Sequence, residues 1–250
     1  MVKLSVVIIT FNEEKNIGRC LASINEIADE IIIVDSNSSD NTAAIAAQYG
    51  ALITQNAFQG FANQKEFAVR QAGNNWILSL DADEELTPTL RQSIMAVKAN
   101  PEFTSYNIPR LTNYCGKWIK HCGWYPDHQL RLFDRTKGSW AQKKVHEHWQ
   151  TAGNEPSGTL RGDLLHYSFS SMSQHLVKIE RYTELAALDA VARGKKASLL
   201  KIWGSPKWHF FNEYFIRLGF LDGYYGYIIC SLSAHTAFVK YSKIRLYSRM

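Results

Sequence analysis

Trp76-Ile77-Leu78-Ser79-Leu80-Asp81-Ala82-Asp83-Glu84-Glu85 is an apolar run that discharges directly into a cluster of carboxylates. The run has the length and composition of a buried parallel strand. Ligands of open α/β sheets bind beyond the carboxyl ends of the strands, so Asp81 and Asp83 fall where a site is expected. In an extended segment residues two apart project to the same side, so both carboxylates can face one ligand while Ala82 leaves room. Such a pair suits a hard divalent cation, Mg²⁺ or Mn²⁺, held by few protein oxygens and completed by phosphate oxygens and water. Acidic loop openings and helix caps also produce Asp-x-Asp, so the motif gains its meaning from the rest of the chain.

Upstream, Leu4-Ser5-Val6-Val7-Ile8-Ile9-Thr10 is β-branched and apolar, and a helical pattern follows through Ile17, Leu21 and Ile24. Glu30 to Asp35 is a second buried strand ending on a carboxylate, and Ser36 to Thr42 supplies a turn and N-cap candidates for a helix through Gln48. Ala51 to Gln55 reads as a short third strand, Asn63 to Ala72 as a helix, and the residues from Pro88 to about Ala99 as another. Alternation of strand and helix with short connections predicts a doubly wound parallel sheet. From Thr104 to about Gly162 the chain is rich in aromatic residues, glycine and histidine, which predicts mixed strands and loops covering the sheet's working edge. Helical register returns from Ser173 to about Arg193.

With 250 residues, 46% hydrophobic and 20% charged, the chain is long enough for one substantial core, with or without a small lobe, and its composition excludes a disordered protein. Met1-Val2-Lys3 leads straight into the first strand, so no signal peptide is expected. Cys20, Cys115, Cys122 and Cys230 form no close pair, which favours reduced structural thiols over a zinc site built from Cys115, His121, Cys122 and His128. Between Lys195 and Met250 nine Lys or Arg stand against Glu213 and Asp222, a net +7, whereas the whole chain carries +5. A basic, aromatic-rich tail on a near-neutral body predicts an anionic surface as partner.

The place after the first strand holds Thr10-Phe11-Asn12-Glu13-Glu14, not GxGxxG, and no P-loop is present. Phosphate must be handled another way, and a cation on Asp81 and Asp83 is the candidate. Asp35 can accept hydrogen bonds from a base or ribose, or simply cap its own turn.

Three segments, LSVVIITFNEE, IIIVDSNSSDNT and WILSLDADEEL, resemble in order and spacing the signatures of the GT-A, family-2 inverting glycosyltransferases. Trp124 to Phe133, Val145-His146-Glu147, the GFLDG at 219 to 223 and the basic aromatic tail are similar to the subgroup that adds a β-linked glucose to the inner core of lipopolysaccharide. The resemblance implies a GT-A (Rossmann-like) mostly parallel sheet flanked by helices, with a helical C-terminal extension. It places Thr10, Asn12 and Glu13 by the nucleotide and Asp35 on the uracil or ribose. Asp81 falls on the ribose or sugar side, and Asp83 on the metal bridging the diphosphate. The expected division is a nucleotide-sugar-binding half over 1–100, an acceptor and catalytic half over 101–172, and an extension over 173–250.

Inversion at a sugar C1 is an in-line displacement through an oxocarbenium-like transition state, which needs charge stabilisation at the departing UDP and a general base for the acceptor hydroxyl. Arg131 suits the diphosphate, because guanidinium matches phosphate in a bidentate way, or else serves a surface ion pair. Glu147, flanked by His146 and His148, is the first candidate base and Asp127 the second. His146 and His166 can orient the site or touch the metal, or be satisfied core histidines. Trp118, Trp124, Tyr125 and Trp140 suit either stacking on sugars or packing.

The tail predicts an amphipathic, aromatic segment lying on the cytoplasmic face of the inner membrane, drawn by anionic headgroups, in a cytoplasmic, peripheral protein; a helical lobe packed on the sheet is the plainer reading. Its charge is interleaved with apolar residues and no recognised module is visible, which excludes nucleic acid. The expected partners are a UDP-sugar, UDP-glucose first, and a lipid-linked saccharide of the lipopolysaccharide core. Transfer to a polyprenyl phosphate or an exopolysaccharide precursor, and a non-catalytic sugar-nucleotide-binding protein, are the alternatives.

Overall fold

The computed structural model of the protein describes residues 1–140 and 149–249. Its first half follows the strand and helix alternation closely. Strands β1 (Leu4–Thr10), β2 (Glu30–Asp35), β3 (Leu52–Gln55) and β4 (Trp76–Asp81) alternate with helices α1 (Ile17–Ile24), α2 (Thr42–Ala47), α3 (Phe61–Gln71) and α4 (Pro88–Ala99). A three-residue strand, β5 (Glu84–Leu86), intervenes before α4. Later strands are β6 (Ser105–Tyr114), β7 (Lys117–Ile119), β8 (Asp127–Asp134), β9 (Gly138–Trp140), β10 (Trp149–Thr151), β11 (Gly158–Thr159) and β12 (Leu164–Phe169). Helices α5 (Met172–Ala192), α6 (Leu199–Phe211) and α7 (Gly223–Tyr247) complete the chain.

The main sheet runs β3-β2-β1-β4-β8-β6-β12-β5. Its first four strands pair in parallel, and β8 then joins β4 antiparallel. The aromatic-rich segment from Thr104 forms strands among its loops, and two of them, β6 and β8, extend the sheet itself, with β8 making the backbone hydrogen bonds that the edge of β4 would otherwise leave unmade.

Consecutive residues of each parallel strand feed opposite faces. Val6, Ile8, Ile31, Ile33, Leu78 and Leu80 pack with α1, α2 and α4, whereas Val7, Ile32, Val34 and Ile77 pack with Ala68 and Val69 of α3. Burial on both sides is why these strands are continuous apolar runs. The start of α4 is fixed locally: Pro88 occupies the first turn and the Thr87 hydroxyl accepts from Leu90 N at 3.3 Å. Gly162 backs onto that turn with φ +92°, where an added Cβ would lie 2.4 Å from Leu90 N.

Two compact units divide the chain: Met1–Arg110 with Asp127–His166, and Leu111–Pro126 with Tyr167–Met250. The first holds the parallel strands and α1 to α4. The second contains a short hairpin, in which Tyr114 pairs with Lys117 and Thr112 with Ile119, together with α5 to α7. Its core gathers Tyr114, Ile119, Cys122, Ile229 and Cys230, with Trp124, Phe169, Phe210 and Tyr214 packed against them. Trp124 is therefore at least partly a packing residue. Gly226 of α7 lets that helix approach Gly219, whose carbonyl oxygen would sit 1.9 Å from a Cβ there.

Candidate active site

The carboxyl ends of β1, β2 and β4 finish level with one another. Thr10 stands opposite Asp35, and Ile9 opposite Asp81. The three motif segments thus arrive side by side at one edge of the sheet, the location where open α/β sheets bind ligands.

At this edge Asp35 is buried and busy. Its carboxylate accepts from the Thr10 hydroxyl at 2.8 Å, from Ser38 N at 2.8 Å and from the Ser38 hydroxyl at 2.5 Å. Asp35 therefore caps its own turn. Asn12 adopts φ +55°, a conformation asparagine tolerates better than most residues. From there its side chain accepts from Ser39 N at 2.9 Å and its backbone N donates to the Ser38 hydroxyl at 2.8 Å. Glu13 N donates to Thr42 Oγ1 at 2.8 Å, and its carboxylate accepts from Asn16 Nδ2 at 2.8 Å. These bonds lace the loop after β1 to the loop after β2.

Beyond β4 the side chains form a chain of alternating charge. Lys65 Nζ of α3 lies 2.8 Å from Asp81 Oδ1, and Arg131 Nη2 of β8 lies 2.6 Å from Asp81 Oδ2. The same Nη2 reaches Glu84 Oε1 at 2.8 Å, and Arg110 of β6 continues the series at 3.4 Å from that oxygen. Arg110 closes it by donating from Nε at 3.0 Å and Nη2 at 2.6 Å to Asp127 Oδ2. Asp127 Oδ1 accepts from Gln129 Nε2 at 2.8 Å, so both of its oxygens are engaged. Three cations and three carboxylates, drawn from α3, β4, β5, β6 and β8, lock the strand ends together.

Burial opposes charge on Asp81, but Arg131 and Lys65 more than offset it and hold the carboxyl well below the usual carboxylate range. Burial likewise opposes charge on Arg131, while Asp81 and Glu84 keep its guanidinium protonated and raise it above its ordinary value. Arg131 is only 4% exposed, and its buried Nε has no hydrogen-bond partner. An unmade bond of this kind costs about 1–3 kcal/mol. Behind the site, burial followed by the charges of Glu84, Asp83 and Asp81 pushes the Cys20 thiol well up, so it stays neutral.

Asp83 stands apart from this chain. The strand stops at Asp81, and Ala82 and Asp83 form a turn before β5. The expected strand alternation across Asp81-Ala82-Asp83 is thus replaced by a turn, and the two carboxylates face different partners. Pairing of β5 with β12 sets Glu84 opposite His166, which brings His166 Nε2 to 3.4 Å from Asp83 Oδ2. Among the described residues no three His, Cys, Asp or Glu side chains converge on one point. A carboxylate beside an imidazole still fits a divalent cation that keeps most of its shell for phosphate and water. Asp81, with a cation on each oxygen, is a poorer donor to a metal.

Of the residues singled out in sequence, Thr10, Asn12, Glu13, Asp35, Asp81, Asp83, Asp127 and Arg131 all lie in the first unit. Glu147 and His146 lie outside the described residues. Glu84, Lys65 and Arg110 were not anticipated. Glu84 is 1% exposed and also accepts from Asp81 N at 2.9 Å, so it holds the acidic turn from within. Its only sequence signal is its place in the acidic cluster, which does not distinguish it from Glu85.

Fold and site together define an α/β protein with a charge-dense centre at the carboxyl edge of its parallel strands. Residues 5–153 match the model of glycosyl transferase family 2. The chain belongs to that family and is a glycosyltransferase. An uncharacterized glycosyltransferase of Rickettsia typhi is 32% identical over 98% of this chain and 87% of its own length. The lipopolysaccharide core biosynthesis glycosyltransferase LpsC of Rhizobium meliloti is 32% identical over 96% of this chain and 91% of its own. Among solved structures, glucosyl-3-phosphoglycerate synthase of Mycobacterium tuberculosis, determined with Mn²⁺, UDP and glucosyl-3-phosphoglycerate, is similar at TM-score 0.41 and 18% identity. That similarity covers 54% of this chain and 57% of the synthase.

Proposed function

We propose that this glycosyltransferase moves glucose, with inversion, from UDP-glucose to a sugar of the lipopolysaccharide inner core, a heptose, carried on a lipid. The observation that carries the reading is the level ending of β1, β2 and β4, which aligns Thr10, Asp35 and the acidic turn on one edge. Likeness to LpsC over nearly the whole of both chains supports the acceptor class.

In this reading Thr10, Asn12, Glu13 and Asp35 shape the nucleoside pocket. Asp35 is rigid because Thr10 and Ser38 hold it, and a preset carboxylate orients a base without reorganising. Asp83 and His166 would hold Mg²⁺ or Mn²⁺, which supplies charge neutralisation at the diphosphate. Arg131 acts by fixing Asp81 and Glu84. The acceptor hydroxyl oxygen attacks C1 as the bond from C1 to the diphosphate oxygen breaks. Its proton passes to a carboxylate base. Glu147 takes that role. Asp127 is the weaker base because Arg110 and Gln129 already occupy its oxygens.

UDP release from UDP-glucose, with Mn²⁺ or Mg²⁺ and inner-core lipopolysaccharide, tests the proposal. Glu147→Gln should lower turnover at least about a hundredfold while leaving UDP binding intact, and Asp127→Asn should lower it less. An active Glu147→Gln transfers the role to Asp127. No UDP release from the wild type with this donor and acceptor overturns the assignment.

A further inference from the structure

The second unit presents a surface that its own fold does not explain. Along α6 and the π-helical turn that follows it (Asn212–Ile216), Leu200, Trp203, Lys207, Phe211 and Phe215 recur every three or four residues and so share one face. All are exposed, Leu200 at 86% and Trp203 at 70%. At 1.5 Å per residue the face is about 24 Å long. An apolar stripe of this extent marks an interaction surface.

Charge identifies its occupant. Both acids between Lys195 and Met250 are turned inward. Glu213 accepts from Ser233 Oγ at 2.7 Å, and Asp222 is buried, accepting from His121 N at 2.8 Å. Of the nine cations in the same stretch, Lys243 alone is ion-paired among the described residues. Lys207 Nζ instead lies 5.2 Å from the centre of the Trp203 ring, and Lys201 and Lys240 flank Tyr241 at 4.9 and 4.7 Å. Indole and ammonium held side by side suit the headgroup layer, where one wants the acyl boundary and the other phosphate. Helix α5 also exposes Val177 and Leu188, but it carries Glu180, Glu184 and Asp189, so its field does not match. No helix among the described residues is long and apolar enough to cross a membrane.

We infer that the Leu200–Phe215 face seats the protein on the surface of a bilayer containing anionic phospholipids, with Trp203 and Leu200 below the phosphates and Lys201 and Lys207 among them. The inference stands on the second unit alone and does not depend on the donor, acceptor or base assigned above.

Flotation of the full chain with vesicles, in the absence of donor and acceptor, tests it. Vesicles of phosphatidylcholine mixed with phosphatidylglycerol should bind the wild type at least about tenfold more tightly than phosphatidylcholine alone. Leu200→Ser with Trp203→Ser should weaken binding by about tenfold or more. Lys201→Ser with Lys207→Ser should weaken it by about fivefold per lysine and remove the preference for the anionic lipid. Val177→Ser with Leu188→Ser on α5 should leave it unchanged. All substituted side chains are exposed, and unchanged circular dichroism confirms that the variants fold. Equal flotation of wild type and the Leu200/Trp203 variant overturns the proposal. So does a wild-type dimer in lipid-free solution that this variant makes monomeric, which would give the face to a second copy, or displacement from vesicles by an oligonucleotide.

Discussion

Glu84→Gln is the sharpest test of the charge chain, because it changes no volume and removes one buried charge. Glu84 accepts from Arg131 Nη2 at 2.8 Å and from Asp81 N at 2.9 Å through its two different oxygens. Glutamine can supply an oxygen to only one of them. With its oxygen toward Arg131, its amide nitrogen faces the Asp81 N–H, donor against donor, which costs about 1–3 kcal/mol for the unsatisfied group. The bond to Arg131 also loses its charged acceptor, worth roughly another 1 kcal/mol or more. A total of about 3 kcal/mol sits at the low end of the range for breaking buried ion pairs. For a chain of this size that lowers the melting temperature by roughly 6–12 °C. Glu85→Gln is the control: its partner Arg19 lies 3.6 Å away with both side chains partly in solvent, so the change should be about 0.5 kcal/mol or less. Differential scanning calorimetry of the three proteins decides the matter. Equal melting points for Glu84→Gln and wild type, or a Glu85→Gln loss as large as that of Glu84→Gln, would refute the argument that Glu84 anchors the turn.

Three further outcomes follow from named contacts. His175 is packed among Tyr114, Trp124 and Phe169, and burial, then Lys178, depresses its pKa to about 4. The unfolded chain therefore binds a proton that the folded one refuses, and stability in the second unit should fall as pH drops from about 6.5 to 4, by about 2–3 kcal/mol, a slope that His175→Phe flattens in denaturant titrations. Gly162→Ala forces φ +92° on alanine and drives its Cβ into the backbone at Leu90, so thermal unfolding should show a loss of about 2 kcal/mol or more. Arg131→Lys keeps the charge but its side chain is one bond too short to set an ammonium where Nη2 bridges Asp81 and Glu84, and should reduce transfer more than it reduces stability, read as kcat against melting temperature.

Local pattern carried the first half of the fold. The helical spacing of Ile17, Leu21 and Ile24 and the helix read from Pro88 correspond to α1 and α4, and the apolar runs of β1, β2 and β4 are strands buried on both faces. Beyond Thr104 the pattern gave out, because which strand joins which edge is set by contacts far apart in sequence. Glu84 shows the limit most plainly. Its partners Arg110 and Arg131 lie 26 and 47 residues away, and nothing local separates it from Glu85. Asp81 and Asp83 were judged by strand alternation, but pairing of β5 with β12 turns the chain at Ala82 and sends them to different partners. Arg131 had a diphosphate clamp or a surface ion pair in prospect, and is buried because Asp81 and Glu84 together neutralise it. The two units interleave, with 111–126 leaving the first and returning at Asp127, a path no composition shift announces.

The central claim is that Asp83, at the turn beyond β4, and its neighbour His166 complete a metal-assisted site for inverting transfer of glucose. It is tested most directly by isolating the glycosylated inner-core saccharide made from UDP-glucose and reading the new anomeric proton by NMR, for wild type and Asp83→Ala. The account predicts a β-linked glucose from the wild type and no product from Asp83→Ala at any Mn²⁺ or Mg²⁺ concentration. An α-linked product, or undiminished product from Asp83→Ala, would contradict it.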